Sequence, residues 1–274
     1  MKLLTFKKND ELVLAMKRGS AIVPLKKKID EMYELTDATI NEFLDEGNVF
    51  EEEGIEYGPC VPVGKKIICV GLNYKKHAEE SKMPIPTSPI LFNKFENALA
   101  ASHESISLPD VAKQYDYEAE LGVVIGKKAK NVSPAEALNY VFGYCNANDL
   151  SARDLQFETS QWLLGKSLDQ FCPIGPYVVT KDEITNPNDL DIACYVNGIK
   201  KQDSSTKDMI FNVSEIISYV SKYMTLQPGD LILTGTPEGV MLGVPEDERE
   251  WLKPGDEMQV VIEGLGVLEN KLVN

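Results

Sequence analysis

The chain has 274 residues, 43% of them hydrophobic, enough to bury a full core in one large domain or in one large and one small. Its formal net charge of −15 repels phosphate, which excludes a nucleic-acid or anionic-membrane surface and means that an anionic substrate needs a local cation. No stretch reaches the roughly 18 apolar residues of a membrane span, and the N-terminus turns charged at Lys7-Lys8, so the sequence reads as soluble, unexported and cytoplasmic.

In chain order, Lys2 to Phe6 and Glu11 to Met16 pattern as short strands. Asp37 to Glu46 patterns as a helix that puts Ile40, Phe43 and Leu44 on one side and stops at Gly47 in a left-handed cap. Two prolines and two glycines in Gly58-Pro59-Cys60-Val61-Pro62-Val63-Gly64 break regular structure there and divide a small N-terminal domain, 1–63, from a second domain, 64–274. Beyond that point Ile67 to Gly71, Pro89 to Phe92, Leu121 to Ile125, Tyr140 to Ala147, Gly175 to Val179 and Asp191 to Val196 read as strands. Ser133-Pro134-Ala135-Glu136 and Asn212-Val213-Ser214-Glu215 each signal a helix start, the second followed by core positions Val213, Ile216, Ile217 and Val220. Asn197-Gly198 marks a hairpin, while Pro228-Gly229-Asp230 and Pro254-Gly255-Asp256 each introduce a strand. The five cysteines lie singly in apolar contexts without a CxxC pair, which suits reduced, buried thiols.

Glu118 and Glu120 stand at the mouth of the strand Leu121 to Ile125. Alternation places both on one face about 7 Å apart, with Gly122 and Val124, while Ala119, Leu121, Val123 and Ile125 take the other. Like charges so placed conflict on a buried face unless a proton or a cation intervenes; on an exposed strand start they are merely solvated. A third acid, Asp149, ends the strand-like 140–148. Three carboxylates with no histidine or cysteine beside them select a hard cation, Mg²⁺ first and then Mn²⁺ or Ca²⁺.

His77 and Glu80, three residues apart, share one face of a short helix and supply a base with an orienting carboxylate; the same spacing also fits a surface ion pair. His103 lies in a polar loop without a role. Lys166, between apolar segments, requires either an anion or a path for its ammonium to water. Thr234 to Val240 offers hydroxyls and backbone N–H groups at a strand end, a turn able to hold a carboxylate.

These motifs jointly resemble the fumarylacetoacetate hydrolase family over residues 65 to 273. The likeness is carried by Val70-Gly71-Leu72-Asn73-Tyr74 with His77, by Asp116-Tyr117-Glu118-Ala119-Glu120-Leu121, and by Asn148 to Gln156. Gly165-Lys166-Ser167, Val196-Asn197-Gly198 and Pro228-Gly229-Asp230 leading into Thr234-Gly235-Thr236-Pro237 complete it. The resemblance implies an α+β, mostly β fold, a mixed β-roll with few helices after the small N-terminal domain, assembled as a homodimer. It further implies that Glu118, Glu120 and Asp149 ligate the metal, that His77 and Glu80 activate water from a mobile lid, and that Lys166 stabilises an oxyanion. Arg153, Gln156, Lys94 and Thr236 fall on positions that line the family's substrate site. Leu72, Leu168, Gln170 and Met241 depart from the commonest family pattern.

The implied activity is metal-dependent hydrolysis of a carbon–carbon bond in an acylpyruvate or fumarylacetoacetate-like 2-oxo acid or 1,3-diketone. The same electron sink serves oxaloacetate decarboxylation or hydroxydienoate isomerisation. A non-enzymatic acidic calcium-binding protein is the rival of another class. It would leave His77 and Lys166 without purpose, and no segment resembles an EF-hand loop.

Overall fold

The computed structural model describes residues 1–61 and 65–274, so the expected boundary between residues 63 and 64 lies outside the described residues. The β-branched and aromatic runs form strands β1 (Lys2–Lys8), β2 (Glu11–Arg18), β3 (Ala21–Pro24), β4 (Ile67–Gly71), β5 (Ile90–Lys94), β6 (Ala119–Ile125) and β7 (Val141–Asn148). They continue with β8 (Cys172–Thr180), β9 (Asp191–Val196), β10 (Ile199–Ser205), β11 (Leu231–Leu233), β12 (Glu257–Ile262) and β13 (Val267–Val273). The helices are α1 (Lys75–Glu80), α2 (Arg153–Gln156), α3 (Leu163–Lys166) and α4 (Val213–Tyr223).

The main sheet runs from the short edge strand Phe50–Glu51 through β3, β2, β1, β8, β7, β6, β11, β4 and β5. It is mixed, because β11 pairs with β4 in parallel while β6 meets both β7 and β11 antiparallel. The N-terminal strands continue this sheet: Lys2 stands opposite Val179 and Leu3 opposite Val178. A second sheet orders β10, β9, β12, β13 and the short strand Ser105–Ser107. This is the mostly β, α+β architecture expected from the sequence.

Strands β4, β6, β7 and β8 are buried along their whole length, which is why they read as continuous apolar runs: packed layers cover both faces. The alternation expected for β6 is present. Ala119, Leu121, Val123 and Ile125 enter one hydrophobic cluster, while Val124 enters the cluster on the opposite side of the sheet. Helix α4 opens with the expected reciprocal cap: Glu215 N–H donates to Asn212 Oδ1 at 3.0 Å, and Asn212 N–H donates to Glu215 Oε2 at 2.8 Å. Its Val213, Ile216, Ile217 and Val220 are buried.

Two local expectations fail. Asp37–Glu46 is not an α-helix; only a 3₁₀ turn at Ile40–Glu42 forms. Leu44 bridges to Leu25, and Lys26 N–H donates to the Phe43 carbonyl at 2.7 Å, so pairing with the preceding strand overrides the helical spacing. Gly47 is absent from the residues with left-handed backbone. After Ser133-Pro134 only the 3₁₀ turn Ala137–Tyr140 follows, because the Tyr140 carbonyl accepts from Gly126 N–H at 2.7 Å and Val141 already begins β7. All five cysteines are free and buried. Among the described residues no helix is long and apolar enough to cross a membrane.

Candidate metal centre and active site

The register of β6 and β7 assembles the acidic cluster. Ala119 stands opposite Asn148, so the next residues outward, Glu118 and Asp149, meet where the ladder ends. Asp149 N–H donates to the Glu118 carbonyl at 2.9 Å, and Glu118 N–H donates to Asn148 Oδ1 at 3.0 Å. Glu120 follows one alternation later on the same face. The three carboxylates each place an oxygen within 4.8 Å of the others, and all three are buried. Three carboxyl oxygens in so small a dry volume form a donor set that suits a hard divalent cation and could hold one.

The cluster is only partly compensated by protein cations. Glu118 accepts from Arg153 Nη2 and from Lys166 Nζ, both at 2.6 Å. Asp149 accepts from Lys166 Nζ at 2.9 Å and from Lys94 Nζ, which also donates to the Leu150 carbonyl at 3.0 Å. Among the described residues no cation pairs with Glu120, and its carboxylate accepts one hydrogen bond, from Gly235 N–H at 2.7 Å. The acids therefore diverge electrostatically. Burial works to raise Glu118, but Lys166 and Arg153 hold its carboxyl well below the usual range. Burial, then the neighbouring Asp149 and Glu118 charges, push Glu120 well above it. Burial works to lower Lys166, and Asp149 and Glu118 outweigh it to keep the ammonium charged. The fold thus holds Glu120 toward its protonated form, and a bound cation would favour its carboxylate instead.

A cavity of about 360 Å³ opens onto Glu118 and Glu120. His77, Glu80, Arg153, Gln156, Lys166 and Thr236 also line it, as does Leu72. His77 sits on α1 with Nδ1 at 2.8 Å from Glu80 Oε1, and Glu80 Oε2 accepts from Gly239 N–H at 3.0 Å. The spacing of three thus closes into a pair of a buried histidine and a half-buried glutamate, the glutamate held from its other oxygen by Gly239. Arg153 donates through Nη1 to Gln156 Oε1 at 2.8 Å and through Nε to Asp116 Oδ2 at 2.9 Å. Lys94, Asp149, Leu168, Gln170 and Met241 do not line the cavity. Lys94 stands behind the acids, where it neutralises Asp149. Thr236 reaches the wall, but its hydroxyl donates to the Ala119 carbonyl and accepts from Gln202 Nε2. His103 is exposed, in a left-handed turn 3.6 Å from Glu269.

Several participants escape a reading of the sequence. Asp116 is fully buried and accepts from Arg153, from Met241 N–H at 2.9 Å and from Leu242 N–H at 3.0 Å, so one carboxylate ties the 241–242 loop to the acidic cluster. Its place two residues before Glu118 was its only available signal. Gln202, on the half-exposed strand β10, accepts from Ala119 N–H at 2.9 Å and pins Thr236; nothing local marks it. Gly235 adopts φ +98°, and an added Cβ would stand 2.6 Å from Asn73 Cβ, so glycine is what lets this N–H reach Glu120.

Comparison with known proteins places these features in context. Residues 66–273 match the family described as Fumarylacetoacetate (FAA) hydrolase C-terminal. A mitochondrial oxaloacetate tautomerase of Rattus norvegicus is 48% identical over 209 residues, which cover 76% of this chain and 66% of that protein, so the chain spans just under two thirds of this relative's length. Among solved structures, a fumarylacetoacetate hydrolase from psychrophilic Exiguobacterium antarcticum is 33% identical with a TM-score of 0.87, covering 100% of this chain and 99% of that one. A 2-hydroxyhepta-2,4-diene-1,7-dioate isomerase from Mycobacterium marinum is 32% identical with a TM-score of 0.81, covering 100% and 98%.

Proposed function

Since the chain belongs to the fumarylacetoacetate hydrolase family, we propose that it is a divalent-cation-dependent enzyme that moves a proton beside the ketone of a 2-oxo acid, the keto–enol exchange of an oxaloacetate tautomerase. The observation that carries this reading is that His77 and Glu80 line the same cavity as Glu118 and Glu120, the two glutamates clustered with Asp149.

The donor set fits Mg²⁺ or Mn²⁺, and an ion held by Glu118, Glu120 and Asp149 would supply Lewis acidity that makes the carbon–hydrogen bond beside the ketone more acidic. His77 donates its Nδ1–H to Glu80, which leaves the Nε2 lone pair for proton transfer at the cavity wall. Nε2 takes the proton from carbon, the electron pair becomes the carbon–carbon double bond of the enol, and the imidazolium returns the proton to the ketone oxygen. Glu80 keeps the ring oriented and stabilises its charged form between the two transfers. Lys166 holds a positive charge beside the acids, where negative charge grows on the substrate oxygen. Gln156 gives its carbonyl oxygen to Arg153 and presents its amide N–H groups to the substrate.

Hydrolytic carbon–carbon cleavage is the second reading, favoured by the likeness to the Exiguobacterium hydrolase: the same histidine could draw a proton from water instead of carbon. Purified protein with Mg²⁺ or Mn²⁺ should interconvert enol and keto oxaloacetate, followed by loss of enol absorbance, at a rate far above buffer and abolished by a chelator. Release of pyruvate from an acylpyruvate without any acceleration of enol loss would replace tautomerisation by hydrolysis.

A further inference from the structure

We propose that Arg249 selects for a substrate bearing a second carboxylate at its distal end, a dicarboxylic 2-oxo acid. The inference rests on the reading that a 2-oxo acid occupies the metal centre, and it assigns the recognition of that acid's far end. The three buried cations of the centre are already committed. Lys94 and Lys166 neutralise Asp149 and Glu118, and each of the Arg153 nitrogens has a partner. None is left to meet an additional anion, which in a protein of net charge −15 would be strongly disfavoured without one.

Arg249 lines the same cavity, half-buried, on the loop that closes it. Its sequence neighbours are Glu246, Asp247, Glu248 and Glu250, yet no carboxylate among the described residues comes within ion-pair distance of its guanidinium. Nε instead donates to the Val244 carbonyl at 2.8 Å and Nη2 to the Leu242 carbonyl at 2.9 Å, which leaves Nη1 without a partner among the described residues. The loop beneath is fixed from below by the Met241 and Leu242 N–H bonds to Asp116. A planar, permanently charged donor held by two bonds and seated 5.7 Å from the Trp251 ring centroid, with Nη1 unpartnered among the described residues on a side chain that lines the cavity, is preorganised for carboxylate.

The test compares oxaloacetate with its 4-methyl ester, which keeps the 2-oxo acid and loses the distal charge, as enol-loss substrates of wild type, Arg249→Met and Arg249→Lys with Mg²⁺. Arg249→Met should lower kcat/KM for oxaloacetate about 10- to 100-fold, through KM, and leave the ester within about twofold. Arg249→Lys should recover part of the preference for the free acid. Because a loosened loop would slow both substrates alike, the ratio between them is insensitive to that damage. Equal losses on both substrates, or no loss on either, overturn the assignment while leaving the tautomerase reading intact. A wild-type protein that turns over neither compound overturns that reading and the role of Arg249 with it.

Discussion

Exchanging each of two buried glutamates for its amide should move stability in opposite directions before any metal is added. Glu118 accepts from Arg153 and Lys166, so Glu118→Gln leaves two buried cations facing an amide, a loss of about 3–5 kcal/mol by analogy with other broken buried pairs. At roughly 2–4 °C per kcal/mol for a chain of this size, the melting temperature should fall by about 6–20 °C. Among the described residues the Glu120 carboxylate has only the Gly235 N–H, whose bond a glutamine carbonyl can also accept, and the amide removes repulsion from Glu118 and Asp149. Glu120→Gln in chelator-treated protein should therefore gain about 1 kcal/mol, or about 2–4 °C. The sign with pH follows from the raised Glu120 carboxyl. Below its ordinary value of 4.5 the group is protonated in folded and unfolded chains alike; above it the unfolded chain ionises first, so the wild type loses stability as pH climbs toward the raised value. The advantage of Glu120→Gln should widen accordingly as pH rises above that ordinary value. Mg²⁺ at a hundred times its dissociation constant should then stabilise wild type by about 2.7 kcal/mol and both variants far less. Calorimetric melting with chelator and with Mg²⁺ reads all of this. A Glu120→Gln protein that melts as far below wild type as Glu118→Gln would falsify the electrostatic account of the cluster.

Three other outcomes follow from the geometry. His77→Gln should cut enol–keto exchange by about 10²- to 10⁴-fold while Mg²⁺ binding, measured by calorimetry, stays within a few-fold of wild type; retained turnover would remove His77 from the proton path. Gly235→Ala forces a methyl onto Asn73 at a left-handed backbone position, so it should destabilise by about 1–3 kcal/mol and weaken Mg²⁺ binding through the lost N–H to Glu120; an unchanged denaturation midpoint would contradict the close approach. Asp116→Asn should free the 241–242 loop and leave Arg153 underpaired, which hydrogen exchange would detect as faster exchange at Met241 and Leu242 N–H than in wild type. Exchange at wild-type rates would count against that anchor.

The paired glutamates, the strand that carries them and the histidine dyad were legible because each depends on a short, fixed period: two for β6, three for His77 and Glu80 on α1. The capping box of α4 was legible for the same reason, since both of its hydrogen bonds lie within four residues. Local spacing was insufficient where distant chain competed. Leu44 was taken into a bridge with Leu25, and the stretch after Ser133 was cut short by the start of β7.

What the sequence by itself determined is which groups are available: three carboxylates, a histidine three residues from an acid, and a strand-rich scaffold to carry them. Only the tertiary structure decided how the charges are shared, because Lys94, Arg153, Lys166, Gln202 and Gly235 reach the cluster from segments far apart in the chain. Which carboxylate is neutralised and which is left for a cation depends on distances of a few ångströms across the sheet. Those distances are set by the register of β6 against β7 and by the loops folded over it.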